Sequence, residues 1–320
     1  MFDDKKSFAF VFPGQGSQKI GMGVKLFKDH QIARQVFEEV DEALNMKLSK
    51  IIFEGPESNL TLTENTQPAL MAVSVALVKV LEFESKKSFN ELASIVCGHS
   101  LGEYSALCSI EAISLTNTAR LLKLRGKSMQ NAVKTSNTGM VAIIGLDLNI
   151  LDQILETTKK TGSICEIAND NCPGQIVLSG HKELLGEIKK KCLSAGAKLT
   201  VDLKVSAPFH CSLMKPVCEI MDIALQKSNF NNFKSLFINN VTATFESDIQ
   251  VIKKLLVEQV VKKVRWRETV RLIYKFGIKN VIEIGSGKVL SGLNKRMNLD
   301  INSFNIENLE DIDLFLKKYV

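Results

Sequence analysis

A serine flanked by two glycines is the residue of this sequence best placed for nucleophilic chemistry. Ser100 follows the apolar run 95–97 and stands between Gly98 and Gly102, in the G-x-S-x-G pattern of a nucleophile elbow. The pattern predicts a buried strand, a sharp turn and a helix. A Cβ atom at either glycine would collide with the neighbouring strand or helix. The first turn of that helix would direct backbone N–H groups at the oxygen of the group attacked.

A serine nucleophile needs a base within hydrogen-bonding distance, and the chain has 4 histidines. His30 lies in a charged segment that predicts a solvated helix, and His181 opens a helix at the surface. His99 is adjacent to Ser100, and successive residues of an extended turn point to opposite sides. We therefore expect His99 to face away and to serve as a structural hydrogen-bonding group. His210, on a proline-stiffened loop, remains as the predicted base.

The histidine base requires a third group that accepts its other N–H and fixes its tautomer. No Asp or Glu in the motif segments is obviously placed for this role. A backbone or amide carbonyl can serve instead, because the imidazolium needs only to have its second N–H satisfied. The residues alone leave the identity of this group open.

An arginine on an apolar helix face is a further candidate. The segment 115–130 predicts a helix whose apolar face carries Leu121 and Met129, and Arg125 lies between them at i+4 spacing. A buried guanidinium without an anion is costly, and no acidic residue occupies an adjacent helical position. Two alternatives to a substrate anion stay open: a salt bridge to a distant residue, or a side chain that carries its charged end to solvent.

Composition argues against several classes of protein. The 320 residues are 45% apolar and 24% charged, which is typical of a globular chain with one large or two smaller domains. The formal net charge is +6 and no basic block exceeds 189–191, so we expect no nucleic-acid partner. The small positive surplus suits an acidic protein or a phosphate-bearing substrate. The 7 cysteines contain no C-x-x-C pair, which favours free thiols over disulfides or zinc.

The sequence also predicts the location of the protein. No apolar run approaches the ~20 residues of a membrane span. Residues 1–6 are charged and lead directly into a strand, which is not the plan of a signal peptide. We therefore expect a cytoplasmic protein without a membrane partner.

The order of predicted elements indicates an inserted unit. The first strand is expected at 7–12, and helices at 24–44, 66–80, 115–130, 249–262 and 268–276. After the polar stretch 134–138 the pattern becomes strand 140–144, helix 149–160, strands 163–168 and 175–178, helix 181–195 and strand 198–204. This β-α-β-β-α-β order is that of a ferredoxin-like unit. It would lie between the elbow and the loop that carries His210.

Six segments together resemble the malonyl-CoA:acyl carrier protein transacylases. They are FPGQGSQ at 12–18, GHSLGE at 98–103, RGK at 125–127, NCPGQ at 171–175, APFHC at 207–211 and EIGSGKVL at 283–290. The resemblance runs from Ser7 to about Arg296 in the order and spacing of the family. It implies an α/β fold in which an α/β-hydrolase-like large subdomain carries an inserted ferredoxin-like (βαββαβ) small subdomain. The large subdomain would comprise residues 1–135 and 206–320, and the small one residues 136–205.

The resemblance also implies a role for each matched residue. Ser100 would be the acylated nucleophile and His210 its base, held by the main-chain carbonyl of Gln259. The backbone N–H groups of Gln15 and Leu101 would form the oxyanion hole. The substrate-binding residues would be Arg125, which would grip the malonyl carboxylate, together with Gln15, Phe209 and Asn171. Neither a metal nor a cofactor is implied.

The implied activity is transfer of a malonyl group from malonyl-CoA to the phosphopantetheine thiol of acyl carrier protein. It would proceed through a malonyl-serine intermediate (ping-pong) and supply fatty-acid elongation, with the enzyme a monomer. The segment 261–266 is more basic than in many relatives, which would affect docking of the carrier protein. Alternatives are a serine thioesterase or hydrolase, an acyltransferase for another acyl-CoA, and a non-catalytic module that binds carrier protein.

Overall fold

The computed structural model describes residues 7–133 and 137–320. The strands are β1 Phe8–Phe12, β2 Ala93–Gly98, β3 Thr138–Ile144, β4 Cys165–Cys172, β5 Gln175–His181, β6 Leu199–Asp202, β7 Leu236–Ile238, β8 Phe245–Glu246, β9 Asn280–Ile284 and β10 Asn302–Ile306. The helices are α1 Val24–Asp29, α2 Gln31–Leu44, α3 Leu48–Glu54, α4 Glu57–Thr61, α5 Thr63–Ser85, α6 Phe89–Leu92, α7 Gly102–Ser109, α8 Leu115–Asn131, α9 Leu148–Thr157, α10 Lys182–Ser194, α11 Lys215–Lys227, α12 Ile249–Glu258, α13 Trp266–Lys275, α14 Val289–Lys295 and α15 Leu309–Tyr319. The N-terminal segment 1–6 and the subdomain boundary expected at 135/136 lie outside the described residues.

A largely parallel sheet of six strands carries the elbow. Its order is β10-β9-β1-β2-β7-β8, and β8 runs antiparallel to β7 at one edge. Strand β1 is apolar and buried at every position, as expected for a parallel strand covered on both faces. Phe10 and Phe12 pack into one apolar cluster, and Ala9 and Val11 pack into another. The carboxyl ends of β1 and β2 therefore meet at one edge of the sheet, where the glycine-containing loops begin.

The second sheet of the molecule is antiparallel and has four strands. Its order is β4-β5-β3-β6, and its elements follow one another along the chain as β3, α9, β4, β5, α10 and β6. Side chains of β3 alternate between the two faces. Val141 and Ile143 pack in a cluster with α9 and α10, whereas Met140 and Ala142 join the main core of the six-stranded sheet. One face of the small sheet is thus the wall against which the larger part of the molecule packs.

The helix predicted over 24–44 is wrong in one respect, because the structure divides it at His30. That residue has an extended backbone (φ −131°), and its N–H donates to Leu26 O and closes α1. Its ring lies 3.3 Å from Glu84 Oε1, and its side chain is 13% exposed. His30 is therefore a half-buried capping residue between α1 and α2 rather than a solvated helix residue.

Helix α5 contradicts the expectation that no apolar segment approaches the length of a membrane span. By length and composition its 23 residues could cross a bilayer. Within the protein, 83% of the most apolar 18-residue stretch of this helix is buried. The helix packs against α2 and α8. Such an all-round apolar helix is also what the centre of a large core requires.

Candidate active site

Ser100 lies at the turn between β2 and α7. Its φ is 54°, in the left-handed region that residues other than glycine rarely adopt. A Cβ atom on Gly98 would lie 2.0 Å from the carbonyl of Gly102, and one on Gly102 would lie 2.2 Å from Phe12 O. The turn therefore closes only with glycine at both positions, which is the steric reason predicted from the sequence.

Asn240 holds this turn from the neighbouring strand. Its Oδ1 accepts the backbone N–H of Ser100 at 2.8 Å, and its Nδ2 donates to Gly98 O at 2.7 Å. Asn240 follows β7, which pairs in parallel with β2, so both residues emerge at the same edge of the sheet. The side chain is fully buried. It satisfies two backbone groups of the strained turn, groups that would otherwise be costly to bury.

The structure brings His210 to Ser100. The distance from Ser100 Oγ to His210 Nε2 is 2.8 Å, and Nδ1 of the same ring donates to the main-chain oxygen of Gln259 at 2.8 Å. Gln259 lies directly after α12, which ends at Glu258, four residues before the predicted end of that helix. A backbone carbonyl thus occupies the position of the third group, as the sequence allowed.

The ring of His210 is held neutral. The residue is 4% exposed, and burial together with the positive charge of Arg125 lowers its pKa to about 3. With Nδ1 donating to Gln259, the unprotonated Nε2 faces the serine hydroxyl. A neutral imidazole in this tautomer is the form that can accept a proton from Ser100.

Arg125 is buried beside the nucleophile and is held by neutral groups. Nη1 donates to Gln67 Oε1 and Nη2 donates to Gln259 Oε1, each at 2.8 Å, and Nη2 also lies 3.2 Å from Ser100 Oγ. Its guanidinium lies 5.7 Å from the ring centre of Tyr104. The residue is 1% exposed, so its charged end lies inside the protein and not at the outer surface.

Neither alternative reading of this arginine is observed. Within the described parts of the chain, Arg125 forms no salt bridge with Asp or Glu, although the Glu103 carboxyl is close enough to act on its pKa. Burial lowers the pKa of Arg125, and Tyr104 and Glu103 oppose that shift. The side chain therefore presents a preorganised positive charge next to the serine.

The two predicted oxyanion donors line the same cavity. Gln15 and Leu101 both border the space in front of Ser100. Across residues 7–133 and 137–320, neither backbone N–H has a protein acceptor. Leu101 directly precedes α7, so its N–H belongs to a helix N-terminus, where such donors are free of intrahelical partners.

A cavity of about 440 Å³ connects these groups to solvent. Ser100, Arg125 and His210 lie at its floor, and Phe209, which is 7% exposed, forms part of its wall. A larger cavity of about 870 Å³ lies alongside and shares Met140, among other residues, with the first. The larger one contains none of the residues predicted for the site.

Asn171 differs from its predicted place. Its Oδ1 bonds to His99 Nε2 at 2.9 Å, and it is Asn169, not Asn171, that borders the cavity. His99 is the hydrogen-bonding group that was expected: its ring bonds to Asn171 and lies 5.7 Å from the ring of buried Trp266, although the residue also borders the cavity. The pairing of β4 with β5 is irregular between Asp170 and Cys172, so simple alternation along the strand does not predict which asparagine meets the cavity.

Comparison with known proteins decides the family. A profile of the acyl transferase domain matches residues 9–296. The chain is 40% identical over 312 residues to the malonyl CoA-acyl carrier protein transacylase of Bacillus subtilis strain 168, which covers 97% of this chain and 96% of the relative. The chain belongs to the malonyl-CoA:acyl carrier protein transacylase family. The family protein of Salmonella typhimurium strain LT2 is 40% identical over 290 residues, or 91% of this chain and 92% of the relative.

Solved structures of this transacylase family share the α/β fold. The crystal structure of acyl-carrier-protein-S-malonyltransferase from Bartonella henselae matches with a TM-score of 0.92 and 48% identity, over 97% of this chain and 98% of that one. A malonyl-transacylase in complex with a type II PKS acyl-carrier protein matches with a TM-score of 0.93 and 38% identity, over 97% and 99%.

Three residues that contact the site were not found from the sequence. Gln67 holds Arg125, Asn240 holds the elbow, and Glu103 contacts the side chain of Gln259. Gln67 lies in a segment interpreted only as apolar core, although a buried glutamine requires a polar partner. The position of Asn240 after a parallel strand was the one signal that could have indicated its role.

Proposed function

We propose that this protein transfers a malonyl group from malonyl-CoA to the phosphopantetheine thiol of acyl carrier protein, through a malonyl ester of Ser100. The proposal depends on one observation, which is that the Ser100 hydroxyl contacts both His210 Nε2, at 2.8 Å, and Arg125 Nη2, at 3.2 Å. A serine that contacts both a general base and a fixed positive charge is suited to accept an acyl group that carries a carboxylate. The names of the relatives agree with this assignment.

The first half-reaction loads the enzyme. His210 Nε2 takes the proton of Ser100 as the oxygen bonds to the thioester carbonyl carbon. The negative oxygen of the tetrahedral intermediate lies between the N–H groups of Gln15 and Leu101, and removing one such donor typically costs ~10²–10³ in rate. The C–S bond then breaks, and the CoA sulfur receives the proton from His210. The carrier thiol reverses these steps, so one thioester replaces another.

Arg125 would select the acyl group. A guanidinium has five N–H donors in a fixed plane. Gln67 and Gln259 each accept one, and Ser100 Oγ accepts a third. Nε is buried with no partner in the described part of the chain, so donors remain for a substrate carboxylate. Phe209 narrows the cavity beside it. Such a charge-assisted, planar contact favours malonyl over an uncharged acyl group.

The finer features of fold and partnership belong to the same proposal. The order of β3, α9, β4, β5, α10 and β6 supports a ferredoxin-like small subdomain, at residues 136–205, within an α/β-hydrolase-like subdomain of residues 1–135 and 206–320. We further propose that the reaction needs neither metal nor cofactor, since the residues at the cavity supply nucleophile, base and cation. We also propose that the protein is a cytoplasmic monomer and that acyl carrier protein accepts the malonyl group. One structural relative is bound to such a carrier.

The direct test is incubation with malonyl-CoA, followed by intact-mass analysis and peptide mapping. We expect one malonyl adduct, on Ser100, that is discharged by acyl carrier protein. Ser100→Ala should remove the adduct. Ser105→Ala, which alters another buried serine of the same segment, should keep it. Fast release of free malonate without carrier protein would instead show a thioesterase, and an adduct on the Ser100→Ala variant would contradict the assignment.

A further inference from the structure

The residue that follows the elbow glycine is an acid with no role in the reaction described above. Glu103 lies in the first turn of α7 and is 1% exposed. Its Oε1 accepts the backbone N–H of Asn240, and its Oε2 accepts the side-chain Nε2 of Gln259. Burial raises the pKa of Glu103, while these two donors and the charge of Arg125 act in the opposite direction. A buried carboxyl is costly, so its contacts require an explanation.

The Gln259 side chain joins this acid to Arg125. Gln259 Oε1 accepts from Arg125 Nη2 at 2.8 Å, while its Nε2 faces Glu103 and also donates to Ser100 O at 3.0 Å. Arginine can only donate, and both oxygens of Glu103 act as acceptors in this structure. The amide is therefore fixed in one orientation, with its oxygen towards Arg125 and its nitrogen towards Glu103.

The backbone of the same glutamine serves the base. Its main-chain oxygen accepts from His210 Nδ1 at 2.8 Å, independently of the side-chain amide. A change at Glu103 therefore acts first on the amide and on Arg125, and leaves the contact between His210 and the main chain in place. This separation makes a selective effect on substrate choice possible.

We propose that Glu103 is a positioning residue for the carboxylate-binding arginine: it holds the Gln259 amide, which holds Arg125 against Ser100, and so sets the discrimination between malonyl and uncharged acyl groups. The inference rests on the proposed function, because it assigns Arg125 to the malonyl carboxylate. Glu103 contacts neither substrate nor the reacting atoms in this arrangement.

Glu103→Gln tests this with an isosteric change. A glutamine has one acceptor oxygen and one NH₂ group. If its oxygen keeps the N–H of Asn240, its NH₂ group faces that of Gln259, and two donors oppose each other. The Gln259 amide then turns and presents its NH₂ group to Arg125, which loses its anchor. A residue that only filled space would tolerate this substitution.

The experiment compares single-turnover acylation by malonyl-CoA and acetyl-CoA in the wild type, Glu103→Gln and Ser109→Ala. Ser109 is a matched control, since among the described residues its buried hydroxyl bonds only to Ser105 O, within α7. We expect the malonyl-to-acetyl rate ratio to fall about tenfold or more in Glu103→Gln, the size of a lost hydrogen bond to a charged group, and to stay unchanged in the control.

Equal losses for both thioesters, or an unchanged ratio, would overturn the inference. If Glu103→Gln does not fold, as judged by its thermal melt, Glu103→Asp replaces it. That variant withdraws the carboxylate by one methylene and should lower the same ratio. Failure of the wild type to form a malonyl adduct would contradict the proposed function instead, so the two claims fail separately.

Discussion

The two sheets contribute differently to the site. The elbow follows strand β2 of the six-stranded sheet, and Asn240 follows the neighbouring strand β7, so these parallel strands bring Ser100 and the residue that holds its turn to the same end of the sheet. The four-stranded sheet supplies wall residues such as Met140 and Asn169. The parallel strands thus position Ser100 and its turn, whereas the antiparallel sheet shapes the cavity.

The small sheet is nonetheless joined firmly to the segment that follows Gln259. Asp170 N–H donates to Val264 O at 2.9 Å, and the Asp170 carboxylate pairs with Arg267 at 2.6 Å, with both side chains largely buried. Glu166 accepts the N–H and hydroxyl of Ser212, two residues after His210. The wall is therefore fixed relative to the base, and its role in this account is to position rather than to react.

The largest expected effect is on malonyl labelling of Ser100, which should differ between two glycine-to-alanine variants. Gly102→Ala places a Cβ atom 2.2 Å from Phe12 O, so the elbow cannot keep its shape. We expect no malonyl adduct on Ser100 and a loss of stability of about 1–3 kcal/mol. Gly186→Ala, in α10 of the small unit, meets no atom within 4 Å and should keep full labelling, with a gain of up to about 1 kcal/mol. Mass spectrometry measures the labelling of both variants, and thermal melts measure their stability. Normal labelling of Gly102→Ala would show that the elbow tolerates a side chain at this position.

The next effect distinguishes fully buried Arg125 from partly buried Arg267. Arg125→Ala should lower acylation by malonyl-CoA about 100-fold relative to acetyl-CoA, since it removes a charge-assisted contact made only by the carboxylate. Arg267→Ala leaves Asp170 buried without its partner and should cost about 3–5 kcal/mol of stability, with the malonyl-to-acetyl ratio unchanged. Competition with both thioesters and denaturant titration measure the two results. Equal rate losses in Arg125→Ala would contradict its assignment.

The smallest effect concerns the pH dependence of the base. Because burial and Arg125 lower the pKa of His210 to about 3, the ring stays unprotonated well below its ordinary pKa near 6.5. Acylation by acetyl-CoA, whose acyl group carries no carboxyl, should be flat from about pH 8 to pH 5. In the unfolded chain the ring binds a proton below about pH 6.5, so stability should fall as the pH drops through that value.

Arg125→Ala sharpens this prediction. Without the nearby charge the pKa of His210 should rise, and the acid limb of the acetylation rate should move to higher pH. Rapid-quench measurements between pH 5 and pH 8 in both proteins test it. A midpoint near pH 6.5 in the wild type would show that the ring is more exposed to solvent than the structure indicates.

Local steric and periodic patterns made much of this molecule predictable. The elbow follows from Gly98, Ser100 and Gly102 alone, and Arg125 stood out because it interrupts an apolar helix face. The order of elements in the small unit followed from alternation and periodicity, although β4 extends to Cys172, beyond its predicted end at 168. These features depend on contacts between residues that are near in sequence.

Contacts between distant residues were not predictable in the same way. Asn240 and Gln67 act through neutral amides, which carry no charge to mark them as misplaced. The break at His30 interrupts a continuous helical pattern, and the ring of this residue contacts Glu84, which is distant in sequence. Asn171 and Asn169 lie in an irregular part of β4, and only the packed structure shows which one meets the cavity.

A crystal structure of the protein trapped with malonyl-CoA tests the central claim most directly. We expect continuous density from Ser100 Oγ to a malonyl group, with a carboxylate oxygen within about 3 Å of the Arg125 guanidinium. A malonyl group attached to another residue, or a carboxylate directed away from Arg125 towards solvent, would contradict it.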